Sequence, residues 1–134
     1  MKPTLYRQTL DADNLISVCS KKLETDSTHK KALFLRASNY LKKGMFKEAI
    51  KDCNSLMKLD SQYTGAFYIR GCANEKLGQI EQAIDDFSTV IEIDPTHVNA
   101  MYARGACENK RSNFAKAIED YNMALKLDTE RGKI

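Results

Sequence analysis

Four cysteines, two histidines and several adjacent carboxylates are the residues of this 134-residue chain whose types could do chemistry. Cys19, Cys53, Cys72 and Cys107 would suggest a zinc or redox centre if two of them formed a C-x-x-C pair. No such pair occurs, and each cysteine falls where a small helical residue belongs. They read as free, buried thiols of a reducing compartment. His29 and His97 stand 68 residues apart and share one linker position with Tyr63, which is a repeat phase and not a ligand pair. Asp85-Asp86 and Glu119-Asp120 lie on segments that read as helices, where carboxylates are expected to face water. Gly44, Gly78 and Gly105 are isolated, so no phosphate-cradling loop exists. No Ser–His–Asp or Cys–His constellation stands outside the repeat pattern. The sequence therefore predicts no catalytic residue, no metal, no cofactor and no enzyme.

The elements that carry these residues repeat. Ala32, Ala66 and Ala100 are spaced by 34, as are Ala49-Ile50, Ala83-Ile84 and Ala117-Ile118, and Asp60, Asp94 and Asp128. Self-similarity at such a period marks a stacked repeat architecture. A half copy precedes them, with Leu15-Ile16 in the Ala-Ile place and Asp26 34 before Asp60. The expected organisation is a partial N-terminal repeat over 1–29, repeats over 30–63, 64–97 and 98–131, and a C-terminal end over 132–134.

Each unit reads as two helices. In the second, Ala66, Phe67, Ile69, Gly71, Ala73 and Leu77 fall at helical spacing, and Gly78-Gln79 interrupts the pattern. Ile80, Ala83, Ile84, Phe87, Val90 and Ile91 resume it before Asp94-Pro95 closes the unit. The other units break at Lys43-Gly44 and Ser112-Asn113. Short breaks between such helices force antiparallel pairs. Ala37, Gly71 and Gly105 on the first helices, and Ala49, Ala83 and Ala117 on the second, are small residues that let axes approach. Cys53, Phe87 and Tyr121 fill the adjoining space. Arg36, Arg70 and Arg104 each precede an aspartate, Asp52, Asp86 and Asp120, by 16 residues. This spacing predicts a repeated ion pair across each helix pair, serving registry.

Composition agrees with a folded helical chain: 43% hydrophobic residues, two prolines and six glycines. The formal net charge of +3 is too small to argue for nucleic acid or an anionic membrane. No apolar run approaches the roughly 18 residues of a membrane span, and Met1 to Leu10 has no signal-peptide core. An intracellular, cytoplasmic location is expected.

The 34-residue period and the set Gly71, Ala83, Phe87 and Pro95 resemble the tetratricopeptide repeat family over residues 11–131. Leu33, Phe67 and Met101 replace the family's tryptophan, and the closing proline survives only at Pro95. The resemblance implies an all-α, right-handed superhelical array of antiparallel helix pairs. It holds about three full repeats and a partial N-terminal one, and works as a protein-interaction scaffold. It also implies that first helices line a concave groove. Carried over residue by residue, the groove has one row of Phe34, Tyr68 and Tyr102. A second row is Ser38, Cys72 and Ala106, and a third is Lys42, Lys76 and Lys110, with Leu35, Ile69 and Ala103 flanking them.

Aromatic rows offer contact area at low entropic cost, and lysines attract carboxylates. The expected ligand is a peptide or partner segment with apolar and acidic side chains. The alternative is that the aromatics pack between helix pairs and the lysines are merely solvated. Some family members clamp the C-terminal carboxylate of chaperones. The matching positions here are Phe34, Ser38, Ile69, Asn99 and Ala103, and none keeps the expected residue type, which argues against that partner. The N-terminal segment Met1 to Leu10, shorter than a full first helix and carrying Pro3, reads as irregular. The uncapped ends suggest a fragment of a longer array, and they predict self-association. A second function follows from them: a structural module stacking end to end.

Overall fold

The structure, a computed structural model, describes residues 3–132 and the side chains of 11–131. Seven helices and no strand occur among the described residues: α1 (Pro3–Thr25), α2 (Lys30–Lys42), α3 (Phe46–Leu59), α4 (Thr64–Lys76), α5 (Ile80–Ile93), α6 (Val98–Lys110) and α7 (Phe114–Gly132).

The turns inside the pairs are left-handed. Gly44 has φ of 78° and Gly78 of 79°, and Ser112 takes the same place at 63°. Each arginine of the Arg–Asp series lies eight residues before this turn residue and each aspartate eight after it. Because these residues meet, the two helices of each pair run antiparallel.

Between pairs the stop signal is a carboxylate that folds the chain on itself. Asp26 Oδ1 accepts from the Thr28 amide at 3.1 Å and its hydroxyl at 2.9 Å. Asp60 Oδ1 accepts from the Gln62 amide at 3.0 Å. Asp94 Oδ1 accepts from the Thr96 amide at 3.0 Å and hydroxyl at 2.7 Å. Such side-chain-to-backbone bonds compete with helix and favour turns. They also hold the Asp26 and Asp94 carboxyls below the ordinary carboxylate value. The imidazoles at the repeated linker position are helix caps: His29 Nδ1 accepts from the Ala32 amide at 3.1 Å and His97 Nδ1 from the Ala100 amide at 3.0 Å.

Two expectations about the ends are corrected. Residues 3–10 belong to α1, a continuous helix begun by Pro3, and are not an irregular segment. Proline suits a first helical turn, where its missing N–H costs nothing. Residues 1 and 2 lie outside the described residues. At the other end α7 does not stop at Asp128 but runs on to Gly132. Glu130 and Arg131 are good helix formers, and Asp128 accepts instead from the Tyr102 hydroxyl at 2.8 Å. Residues 133 and 134 lie outside the described residues.

The core sits between the helices of each pair and between successive pairs. Ala49 and Ala83 are wholly buried and Ala117 is 2% exposed. Leu33, Ala37, Cys53, Leu56, Ala66 and Ile69 form one cluster across α2, α3 and α4. Phe87, Val90, Ala100 and Cys107 continue it across α5 and α6. Gly71 and Gly105 give room to the rings of Phe87 and Tyr121. Pro95, grouped above with the packing residues, is exposed and only marks the turn after α5. Asp86 and Asp120 are also corrected: they are buried and do not face water.

Candidate functional site

Curvature assigns the inner face. α2 touches α4 and α4 touches α6, whereas among the described residues α3 does not reach α5, nor α5 reach α7. The first helices of the pairs converge and the second ones splay, so α2, α4 and α6 line the inside of the arc.

An ion-pair ladder holds these helices at their spacing. Arg36 Nε and Nη2 both donate to the Asp52 carboxylate at 2.7 Å. Arg70 grips Asp86 at 3.0 and 2.7 Å, and Arg104 grips Asp120 at 2.9 and 2.7 Å. These bidentate forks are directional as well as attractive. They are also more buried than the sequence reading assumed, since Asp120 is fully buried. The carboxylate bonds raise each arginine's pKa. The remaining amine of each fork reaches back to the preceding pair. Arg36 Nη1 donates to Ser20 Oγ at 3.2 Å, Arg70 Nη1 to Asn54 Oδ1 at 2.9 Å and Arg104 Nη1 to Ser88 Oγ at 3.2 Å. Each arginine therefore ties three helices together. The sequence reading missed these acceptors, although they stand 16 residues before each arginine.

The aromatic row is half-buried. Phe34 packs on Tyr63 with centroids 5.5 Å apart, Tyr68 on Phe87 at 5.7 Å and on His97 at 5.0 Å, and Tyr102 on Tyr121 at 6.4 Å. Both alternatives for this row hold in part, since each ring braces the next element and still offers an edge to the inner face. Burial pushes the Tyr68 hydroxyl up to about 12, so it stays protonated at neutral pH. Beside it, Cys72 is half-buried and its thiol is likewise raised, chiefly by burial. Ser38 is half-buried and Ala106 exposed. Ile69 does not reach the groove. It is 5% exposed and packs with Cys53, Leu56 and Ala66, because its side of α4 faces α3.

The lysine row is not a free array of cations. Glu75, which the sequence reading overlooked, sits between two of them. It pairs with Lys110 of the neighbouring helix, whose pKa that bond raises, and stands 3.9 Å from Lys76. Lys42 is exposed at the other end of the row. The corresponding phase positions are Leu41 and Asn109, so nothing in the repeat announced an acid there.

No group of three or more His, Cys, Asp or Glu side chains among the described residues could hold a metal ion. Burial raises the Cys53 thiol to about 12 and the Cys107 thiol to about 11, far from a reactive thiolate. No helix is long and apolar enough to cross a membrane.

Comparison with known proteins agrees with this geometry. Two family models, each described as tetratricopeptide repeat, match residues 30–63 and 65–97. No curated protein sequence matches the chain. Among solved structures, a crystal structure of MamA superposes with a TM-score of 0.86 at 20% identity, covering 92% of this chain and 72% of that one. MamA from residue 41 to its end, of Desulfovibrio magneticus RS-1, gives 0.84 at 19% identity, over 94% and 75%. The Arabidopsis OM64 TPR domain gives 0.72 at 21% identity, over 74% and 82%. At these identities the likeness is one of fold.

Proposed function

The chain belongs to the tetratricopeptide repeat family, whose repeats serve as protein-interaction scaffolds, and on that premise we propose that its inner face binds a segment of a partner protein and does no chemistry of its own. We take 30–63, 64–97 and 98–131 as the working repeats and 1–29 as a partial one that closes the N-terminal side. The segment lies across α2, α4 and α6. Its apolar side chains rest against the edges of Phe34, Tyr68 and Tyr102 and over Ser38, Cys72 and Ala106. Acidic side chains are drawn to the Lys42 end, because Glu75 already engages Lys110 and stands beside Lys76.

The observation that supports this reading most is the continuous inner layer of three touching helices, carrying half-buried aromatics and an exposed Ala106 at its middle. Rigid aromatic anchors next to small residues are what binding hot spots use. The end-to-end stacking module is the second function considered. The exposed apolar side chains of α7 favour an interaction there, but not one between identical ends.

The test selects peptides from a displayed random library on the whole chain and measures each on the Ala106→Arg variant. Ala106 is exposed, so the variant keeps the core. Selected peptides should lose about tenfold or more in affinity, the scale of 1.4 kcal/mol. Peptides that bind the variant equally well would place recognition elsewhere.

A further inference from the structure

The outer face of α7 repeats, position by position, a surface that the array covers elsewhere. On α5, Ile80, Ile84 and Ile91 pack against a cluster to which α6 contributes Ala100, Ala103 and Cys107. Ser88 of the same helix accepts the bond from Arg104 of α6. Thirty-four residues on, α7 presents Phe114, Ile118, Asn122 and Leu125. Among the described residues α7 touches only α6. Phe114, Ile118 and Leu125 are consequently 57%, 58% and 54% exposed, and Asn122 is exposed between them. Asn122 stands where Asn54 accepts from Arg70 and Ser20 accepts from Arg36. An apolar stripe of three large side chains with an amide at its middle is a docking surface in waiting.

We propose that this face of α7 binds an amphipathic helix of a partner protein, one that carries small residues at i, i+3 and i+7 and an arginine at i+4. That is the pattern of Ala100, Ala103, Arg104 and Cys107 on α6, the helix that covers the matching surface of α5. The small residues let the incoming backbone settle over Ile118. The arginine donates to the Asn122 side chain, and Phe114 and Leu125 close over the two ends. The site lies on the last second-type helix, away from the inner layer of α2, α4 and α6, and does not depend on the groove.

The probe is a stapled, helical peptide with the sequence of residues 98–110, since an unstapled helix of this length is marginal in water. Its binding to the whole chain is read by fluorescence anisotropy. The proposal expects saturable binding that weakens about tenfold or more in the Ile118→Asp chain. It also expects the peptide with Arg104→Ala to bind the native chain about fivefold more weakly, the range of one net hydrogen bond, and the Asn122→Ala chain with no such difference. Both chain positions are exposed, and circular dichroism checks that the variants stay folded. The proposal is overturned if the peptide does not bind, if Ile118→Asp leaves binding unchanged, or if the arginine matters equally with and without Asn122. It is also overturned if the chain alone forms dimers in sedimentation that Ile118→Asp dissolves, because the occupant would then be a second copy.

Discussion

Gly71 and Phe87 touch across α4 and α5: a Cβ on the glycine would lie 2.7 Å from Cε1 of the ring. They stand sixteen residues apart, as do Gly105 and Tyr121, where the same contact would be 2.8 Å. In the first pair these positions hold Ala37 and Cys53, both wholly buried in one cluster. The chain thus trades volume between the two helices, setting glycine against an aromatic ring and alanine against a thiol.

That exchange can be measured. Gly71→Ala should destabilise, because overpacking costs about 1–3 kcal/mol against a helix-propensity gain of about 1 kcal/mol. Phe87→Cys alone should cost about 3 kcal/mol or more by leaving a cavity. The double variant copies the Ala37–Cys53 solution. It should be more stable than the two costs added, with a coupling of about 1–2 kcal/mol. Urea denaturation of the four chains gives the answer, and simple additivity would contradict the packing account.

Arg104 and Asp120 make the most buried rung of the ladder, with arginine side chain 13% exposed and aspartate 0%. Arg104→Met leaves Asp120 with only the Lys116 ammonium, 3.8 Å away, and should cost about 3–5 kcal/mol. Arg104→Lys keeps the charge but loses the fork, and should fall between the two. Arg104→Met combined with Asp120→Leu should recover most of the loss, since a buried pair replaced by packed apolar groups is often neutral. Equal stability of the native chain and Arg104→Met would show that the rung holds nothing.

Much of this framework was readable from spacing alone. The 34-residue step located the helix pairs, and the 16-residue step from Arg36, Arg70 and Arg104 to their aspartates located the ladder, because each repeats one residue type in one phase. The backward bonds were hidden, since Ser20, Asn54 and Ser88 are ordinary polar residues of two types. Burial of Ile69 was hidden for a different reason. The resemblance gave α4 an inner side without fixing the angle at which α3 meets it. Glu75 escaped because an inserted charge has no periodicity. The continuous α1 escaped because proline at residue 3 signals both a break and a helix start.

Ser112 occupies the left-handed turn that Gly44 and Gly78 fill in the earlier pairs. A Cβ there costs about 1–2 kcal/mol relative to glycine, partly offset by the greater freedom of glycine in the unfolded chain. Ser112→Gly should therefore stabilise the chain by about 0.5–1 kcal/mol, and Gly78→Ser should destabilise it by a similar amount. Thermal unfolding of the two variants should move in opposite directions. Movement in the same direction would mean the turn conformation is not what limits them.

The inner-face account is tested most directly by two-dimensional amide NMR of the whole chain, titrated with the tightest peptide from the library selection. It predicts chemical-shift changes concentrated on α2, α4 and α6, around Ser38, Cys72 and Ala106, with the surrounding residues of α3 and α5 quiet. Changes centred on the outer sides of α3 and α5, with Ser38, Cys72 and Ala106 unmoved, would contradict it.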